Sequence, residues 1–242
     1  MKYVCSWSGG KDSTGSIILA HENGEPLDVI LFSEVMFDKK NNVSGENPQH
    51  MEFIYKTIPL FESWGYEVKI LRADKDYLDC FYHVIEKPRK YVENKGKFFG
   101  FPLTGKCCVK RECKEKPIRQ YLGSLKESYV QYVGICIDEP DRLDSLHKDS
   151  SRISLLEKYG YTQEMARALC EKYGLLSPTY SLSKRGGCWM CFNAKQAEHQ
   201  AIKDCAPEAW SKFVSLENEC NLAHTRWSLY SGSLAERGSN LL

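Results

Sequence analysis

The chain is expected to fold as an α/β protein built on a parallel sheet, followed by a mostly helical C-terminal region. Three observations lead there. Short apolar runs alternate with helix-like segments through the first half, as successive βαβ units require. A glycine-rich turn joins the first run to the first helix, and beyond about residue 145 apolar runs give way to helical spacing. The expected organisation is therefore an α/β core over residues 1–145 and a helical region over 146–242 packed on it.

Taken in order, "KYVCSW" reads as the first strand and Asp12 to Glu22 as a helix. "DVILFSEV" reads as a second strand. From Pro48 to Trp64, residues Met51, Ile54, Tyr55, Ile58 and Phe61 recur at three- and four-residue spacing, which predicts a helix with one buried face. Pro48 suits its first turn, where a missing N–H costs nothing. "EVKILRA" is a third strand, and residues 87–105, basic and glycine-containing, read as a long loop. "YVQYVGIC" is a later strand, and "TQEMARALCEKYG" a helix stopped at Gly174.

Lys and Arg number 33 against 32 Asp and Glu, for a net charge of +1, so no global field draws the chain to nucleic acid or membrane. The N-terminus lacks the apolar core and cleavage site of a secretory signal, and no apolar run reaches membrane-spanning length. A cytoplasmic location with no membrane partner is expected. Eleven cysteines in a reducing compartment read as metal ligands or reactive thiols before they read as disulfides.

The opening stretch "SWSGGKDSTGS" places small, donor-rich residues between a strand and a helix. Glycine lets backbone amides approach an anion, the helix N-terminus adds partial positive charge, and Lys11 neutralises phosphate. Ser8 and Ser13 supply further donors. The order Ser8-Gly9-Gly10-Lys11-Asp12-Ser13 resembles the PP-loop of the ATP pyrophosphatase superfamily, whose fold is a Rossmann-like, adenine nucleotide α-hydrolase sheet. The resemblance implies that Ser6, Ser8, Gly9, Gly10, Lys11, Asp12 and Ser13 bind ATP with magnesium. It also implies cleavage between the α and β phosphates, with Lys11 and Asp12 catalytic.

A second segment, "VGICIDEPDR" at residues 133–142, resembles the Gly-Ile-x-x-Asp-Glu-x-x-Arg pattern of the phosphoadenosine phosphosulfate (PAPS) reductase branch. It implies that Gly134, Asp138 and Glu139 bind nucleotide and that Arg142 meets a phosphate or sulfate; the alternative is an exposed acidic turn with Arg142 paired to a neighbour. The Asp-Thr-Gly sequence usual in reductases of this branch is absent. In its place Glu34, Asp38 and Glu46 are candidates for magnesium or a nucleophile, against the alternative of a solvated loop.

"GKCCVKREC" supplies Cys107, Cys108 and Cys113, and "RGGCWMC" supplies Cys188 and Cys191. Two such segments together complete four thiolate ligands. The arrangement resembles the four-iron (4Fe-4S) cluster motif of assimilatory adenylylsulfate reductases, which implies Cys107, Cys108, Cys188 and Cys191 as ligands. Adjacent cysteines on a helix diverge by roughly 100°. That suits the separate corners of a cubane better than one tetrahedral ion. Zinc is the alternative, with Cys113 as an alternative ligand. Cys5, Cys80, Cys136, Cys170 and Cys205 are assigned to packing. "ECNLAH" at 219–224 resembles, with a lost glycine and an inserted residue, the segment whose cysteine attacks sulfur in the reductases. Cys220 is therefore either that nucleophile or a surface cysteine.

Lys87, Arg89, Lys90, Lys95 and Lys97 alternate with Tyr91, Phe98, Phe99 and Phe101. Cations position phosphates and aromatic rings stack on bases, so residues 87–101 are a candidate site for a nucleic-acid or nucleotide acceptor. The preferred expectation is an ATP-cleaving enzyme that activates an acceptor for sulfur or another nucleophile, with a sulfur donor or reductant protein as partner. The alternatives are a reductase of adenylylsulfate or PAPS and a non-catalytic nucleotide and cluster sensor.

Overall fold

The computed structural model describes residues 1–102, 105, 107–182 and 187–225. Residues 226–242 of the expected helical region lie outside the described residues, as do Leu103 and Thr104 of the expected loop and Arg185 and Gly186 beside the second cysteine pair.

In chain order the first elements are β1 (Lys2–Trp7), α1 (Lys11–Glu22), β2 (Val29–Glu34), β3 (Met36–Asp38), β4 (Val43–Ser44), α2 (Pro48–Ser63), β5 (Glu67–Arg72) and α3 (Tyr77–Phe81). There follow β6 (Phe98–Gly100), α4 (Lys116–Ser124), β7 (Tyr129–Tyr132), α5 (Pro140–Leu146), β8 (Arg152–Ile153), α6 (Leu155–Lys158) and α7 (Gln163–Lys172). The last are α8 (Gln196–Cys205), α9 (Pro207–Ser215) and β9 (Leu222–His224).

These elements form two compact units, each drawn from three stretches of chain. The first comprises Met1–Ser33, Gln49–Leu71 and the described residues from Ile118 to Leu182. The second comprises Glu34–Pro48, Arg72–Pro117 and the described residues from Gly187. The expected boundary near residue 145 thus falls inside the first unit. The reason is that β8 pairs with β7 and α7 packs on α1, tying residues beyond 145 to the sheet.

The first unit carries a five-stranded sheet in the order β5-β2-β1-β7-β8. β1 pairs parallel with β2 on one side and with β7 on the other, in registers such as Val4↔Val29 and Val4↔Gln131. Every residue of β2 is buried, as a central parallel strand covered on both faces requires. Trp7 meets Phe61 edge-on at 5.1 Å and donates from Nε1 to Thr14 Oγ1 at 2.9 Å, which fixes the start of α1 against the end of β1. In α2 the buried face is His50, Met51, Ile54, Thr57 and Phe61. Tyr55, expected on that face, is 50 % exposed. α7 has Thr162 as its N-cap and Gly174 in the left-handed region just beyond its end, as expected.

The chain runs from β1 outward to β2 and β5, then returns to lay β7 and β8 on the opposite side of β1. The order reverses between β1 and β7. A parallel sheet opens a crevice beyond its carboxyl ends at such a reversal. The two loops that flank it here are Ser8–Gly10 and the turn that follows Tyr132.

The second unit packs around aromatic side chains. Phe213 lies 5.4 Å from Trp189, 5.8 Å from Tyr77 and 6.1 Å from Phe37, centroid to centroid. Within the stretch expected to be a loop, Phe98–Gly100 forms β6, which pairs parallel with β9 through Phe98↔Leu222 and Gly100↔His224. Among the described residues no helix is long and apolar enough to cross a membrane.

Candidate functional site

In the first unit, the crevice between β1 and β7 is a cleft of about 420 Å³. Ser6, Ser8, Gly10, Lys11, Asp12 and Ser13 line it on the β1 side, and Gly134 and Arg142 on the β7 side. Its donors are ordered by one another. Ser8 N donates to Ser13 Oγ at 3.1 Å, the two hydroxyls lie 3.1 Å apart, and Gly10 N donates to Ser8 Oγ at 3.3 Å. Gly10 is the N-cap of α1 and offers no capping side chain, so the cleft faces a helix terminus with its positive dipole end.

Two glycines make this approach possible. Gly9 has φ +70°, and a Cβ there would stand 2.4 Å from His50 Cε1. A Cβ on Gly134 would lie 2.5 Å from Ser13 N and 2.6 Å from Asp12 C, so only a bare backbone lets the β7 loop touch the first turn of α1. Gly9 turns away toward His50 and does not line the cleft.

The structure adds residues that no local motif signals. His50 fixes the loop from behind, with Nε2 3.0 Å from Ser8 O and Nδ1 2.8 Å from Ser177 Oγ. Tyr180 accepts from Lys11 N at 3.0 Å, and Gln163 accepts from Lys11 Nζ at 3.3 Å. Arg152, on β8, lines the cleft, and its buried Nε has no hydrogen-bond partner among the described residues. A buried guanidinium N–H beside a cleft is costly unless an acceptor arrives. Arg152→Gln is therefore expected to weaken binding of a phosphate-bearing nucleotide by about ten- to a hundredfold, at roughly 1.5–3 kcal/mol for a charge-assisted contact. Isothermal titration with ATP checks this; equal affinity in the variant rejects the assignment.

The remaining expected residues divide. Asp12 Oδ1 takes Lys11 Nζ at 2.5 Å, and Glu139 takes Arg142 Nη1. The pairing of Arg142 with a neighbour is one of the two arrangements considered above, although Arg142 still lines the cleft. Asp12, Cys136 and Glu139 bring ligand atoms within 4.8 Å of one another. Cys136 Sγ donates to Asp12 Oδ1 at 3.3 Å, and burial followed by the Asp12 charge pushes this thiol up. Asp138 is exposed and accepts from Gln163 N at 3.1 Å, so it positions α7 and does not line the cleft. Cys170 is buried, its thiol pushed up to about 12 by burial, in keeping with the packing assigned to it.

In the second unit, Cys107, Cys188 and Cys191 line one small cavity together with Tyr77. The Tyr77 hydroxyl is buried without a hydrogen-bond partner among the described residues. Backbone donors reach two of the sulfurs, Lys110 N to Cys107 at 3.4 Å and Asn193 N to Cys191 at 3.5 Å. The Cys188 thiol is held well above its ordinary value by the neighbouring Cys191 thiol, then by burial. Cys108 turns elsewhere. Its thiol hydrogen-bonds Cys80, which with burial pushes it up, and Cys80 in turn lies 3.8 Å from Cys113. Cys80, assigned to packing, thus belongs to the cysteine constellation, because α3 carries it against the segment of Cys108 and Cys113. Lys110–Glu115, which contains Cys113, is wound as a π-helix, an irregularity frequent at functional sites.

No three of these sulfurs lie within 4.8 Å of one another among the described residues. A zinc tetrahedron with Zn–S bonds of about 2.3 Å needs edges of about 3.8 Å. Among the described residues these thiols do not form that tetrahedron.

Glu34, Asp38 and Glu46 are buried, which excludes the solvated loop considered for them. Glu34 accepts from Arg72 Nε at 2.8 Å, Asp38 pairs with Lys212, and Glu46 lies 3.8 Å from Lys114. For Asp38, burial works to raise the carboxyl, but the hydrogen bonds from Lys212 and Asn41 outweigh it and leave the group below its ordinary value. These ion pairs give Glu34 and Asp38 a structural occupation. Cys205 is exposed, which corrects its assignment to packing. Cys220 is also exposed, just before β9, and does not line the cysteine cavity of its own unit. The sequence matches no protein-family model and no curated protein.

Proposed function

We propose that the chain is a PP-loop enzyme of PAPS-reductase type that binds ATP in the cleft of the first unit and uses it to activate an acceptor. An acceptor oxygen attacks the α-phosphorus, the bond from that phosphorus to the bridging oxygen breaks, and pyrophosphate leaves. A sulfur nucleophile from a donor then displaces AMP. The observation that carries this reading is the crevice at the sheet's reversal, where a capless helix terminus, Lys11, Arg142 and Arg152 converge with ordered serine hydroxyls.

Lys11 and the two arginines take up charge that builds on the departing pyrophosphate, the electrostatic contribution that dominates such reactions. Ser8 and Ser13 hold the phosphates in register, while Tyr180 and His50 keep the loop in place. Asp12 and Glu139 are the carboxylates that would hold magnesium. Cys107, Cys188 and Cys191 would hold an iron–sulfur cluster; Cys108, the fourth ligand that the sequence resemblance implies, would have to leave its hydrogen bond with Cys80 to join them. When bound, such a cluster supplies one-electron chemistry or an iron site for sulfur. The orphaned Tyr77 hydroxyl and the three thiols around one cavity fit that group.

Lys11→Ala is the direct test. Removal of one charge-assisted phosphate contact, roughly 1.5–3 kcal/mol, is expected to cut ATP binding or acceptor-dependent pyrophosphate release about ten- to a hundredfold while leaving bound iron unchanged. Unchanged binding and turnover would reject the cleft as the ATP site. The exposure of Cys220 favours a second reading, reduction of a sulfonucleotide, since a sulfur carrier must be reachable. Incubation with labelled adenylylsulfate separates the two. A thiosulfonate adduct on Cys220, lost in Cys220→Ser, establishes the reductase; AMP and pyrophosphate formed only with acceptor establish ATP-driven activation.

A further inference from the structure

The second unit contains another cleft, of about 550 Å³. Lys75, Lys87, Arg89, Lys90 and Arg111 stand around it, and all five are exposed. Tyr91, Phe99 and His224 add aromatic surface, and the buried thiols of Cys80 and Cys108 lie on its floor. The chain as a whole carries +1, so this gathering of cations is local.

Solvated charge runs on protein surfaces are ordinarily compensated. Elsewhere in this chain Lys56 pairs with Glu52, Lys158 with Glu25 and Lys172 with Glu22. Lys75, Lys87, Arg89 and Lys90 have no acidic partner within ion-pair distance among the described residues. The only acid that lines the cleft among those residues, Glu112, is held by Arg111 at 2.8 Å. Four uncompensated cations around one concavity repel each other and favour a polyanion. The aromatic rings narrow the choice. Tyr91 is 53 % exposed, with Lys90 Nζ 5.3 Å from its centroid, and Phe99 meets His224 edge-on at 4.8 Å. Burial lowers the His224 pKa and so keeps the ring an aromatic surface at neutral pH. An acidic peptide has no use for exposed ring faces beside cations, and a duplex keeps its bases stacked away from them.

We propose that this cleft binds a single strand of nucleic acid, its phosphates on Lys75, Lys87, Arg89 and Lys90 and its bases against Tyr91 and the Phe99–His224 pair. The strand's identity as the acceptor of activation rests on the function proposed above; its binding does not.

The test is fluorescence anisotropy of the full chain with a labelled single-stranded oligonucleotide of about 12 nucleotides, within the site sizes of single-strand binders. Four phosphate contacts should give a log–log salt slope of about −3. The combined variant Lys87→Glu, Arg89→Glu, Lys90→Glu should lose at least about tenfold in affinity, with a shallower slope. Tyr91→Ala should lose about five- to a hundredfold with the slope unchanged, because stacking and not charge is removed. Lys11→Ala should bind the strand as the parent does, so that failure of the ATP assignment and failure of this one are told apart. All the altered cleft residues are exposed, and thermal melting checks that each variant stays folded. Absence of strand binding, affinity untouched by Tyr91→Ala, or equally tight binding of a duplex, a mononucleotide or an acidic peptide overturns the proposal.

Discussion

Replacement of Cys188 and Cys191 together by serine is expected to strip anaerobically purified protein of the iron and inorganic sulfide proposed for it and leave it colourless. Both thiols line the cavity that Cys107 and Tyr77 share, so the double change removes two of the three thiols around it. Metal affinity in such centres depends on every thiolate. Cys107→Ser is expected to reduce iron content as well. Cys113→Ser should retain it, because Cys113 is fully buried and faces Cys80. Elemental analysis and sulfide assay read the outcome. Stoichiometric zinc without sulfide, or full iron in the double variant, would falsify the cluster assignment.

Gly134→Ala should be nearly as damaging to the other site. A methyl at this position lands on the backbone of Asp12 and Ser13, at 2.5–2.9 Å, where nothing can yield except the loop or the first turn of α1. Displacement of the turn proposed to bind phosphate by about an ångström is expected to cost on the order of a hundredfold in function. Overpacking of this kind destabilises by about 1–3 kcal/mol, which lowers Tm by about 2–4 °C per kcal/mol in a chain of this size. Gly24→Ala is the control, since Gly24 is in the left-handed region, unlike Gly134, and has no atom within 4 Å of a built Cβ. It should lower stability through backbone strain alone and leave ATP affinity intact. ATP titration alongside thermal melting distinguishes the pair, and equal affinities in both variants would argue that the β7 loop has no part in the site.

The parallel sheet and its crevice were legible because each strand is a contiguous apolar run and the loop residues carry their own signal. Ser8 through Ser13 and Gly134 through Arg142 read as two halves of one site, and the reversal between β1 and β7 brings them together. What escaped is nonlocal or short. Tyr180 reaches Lys11 across 169 residues, and Arg152 sits on a two-residue strand whose place at the sheet edge no periodicity reports. Residues 98–100 form only a three-residue strand between glycines, below the length at which alternation can be recognised, so the segment reads as loop. Cys80 stands alone in sequence, and only the packing of α3 reveals its neighbours. The division into two units was equally hidden, because composition shifts along the chain cannot register units that alternate segments.

That alternation has a consequence for how the protein is made. All described parts of the first unit have been synthesised once Leu182 is added, whereas β6 must wait for β9, more than a hundred residues after it in the chain, to complete its pairing. During that interval the aromatic core around Tyr77, Phe37 and Phe101 lacks Trp189 and Phe213, and Cys107 lacks its partners Cys188 and Cys191. The nascent second unit is therefore the portion that exposes apolar surface longest, and the three thiols of its cavity come together only after Cys191 has been made. Vectorial synthesis sets the order, with the parallel sheet and its crevice first and the aromatic unit with its cysteine cavity last.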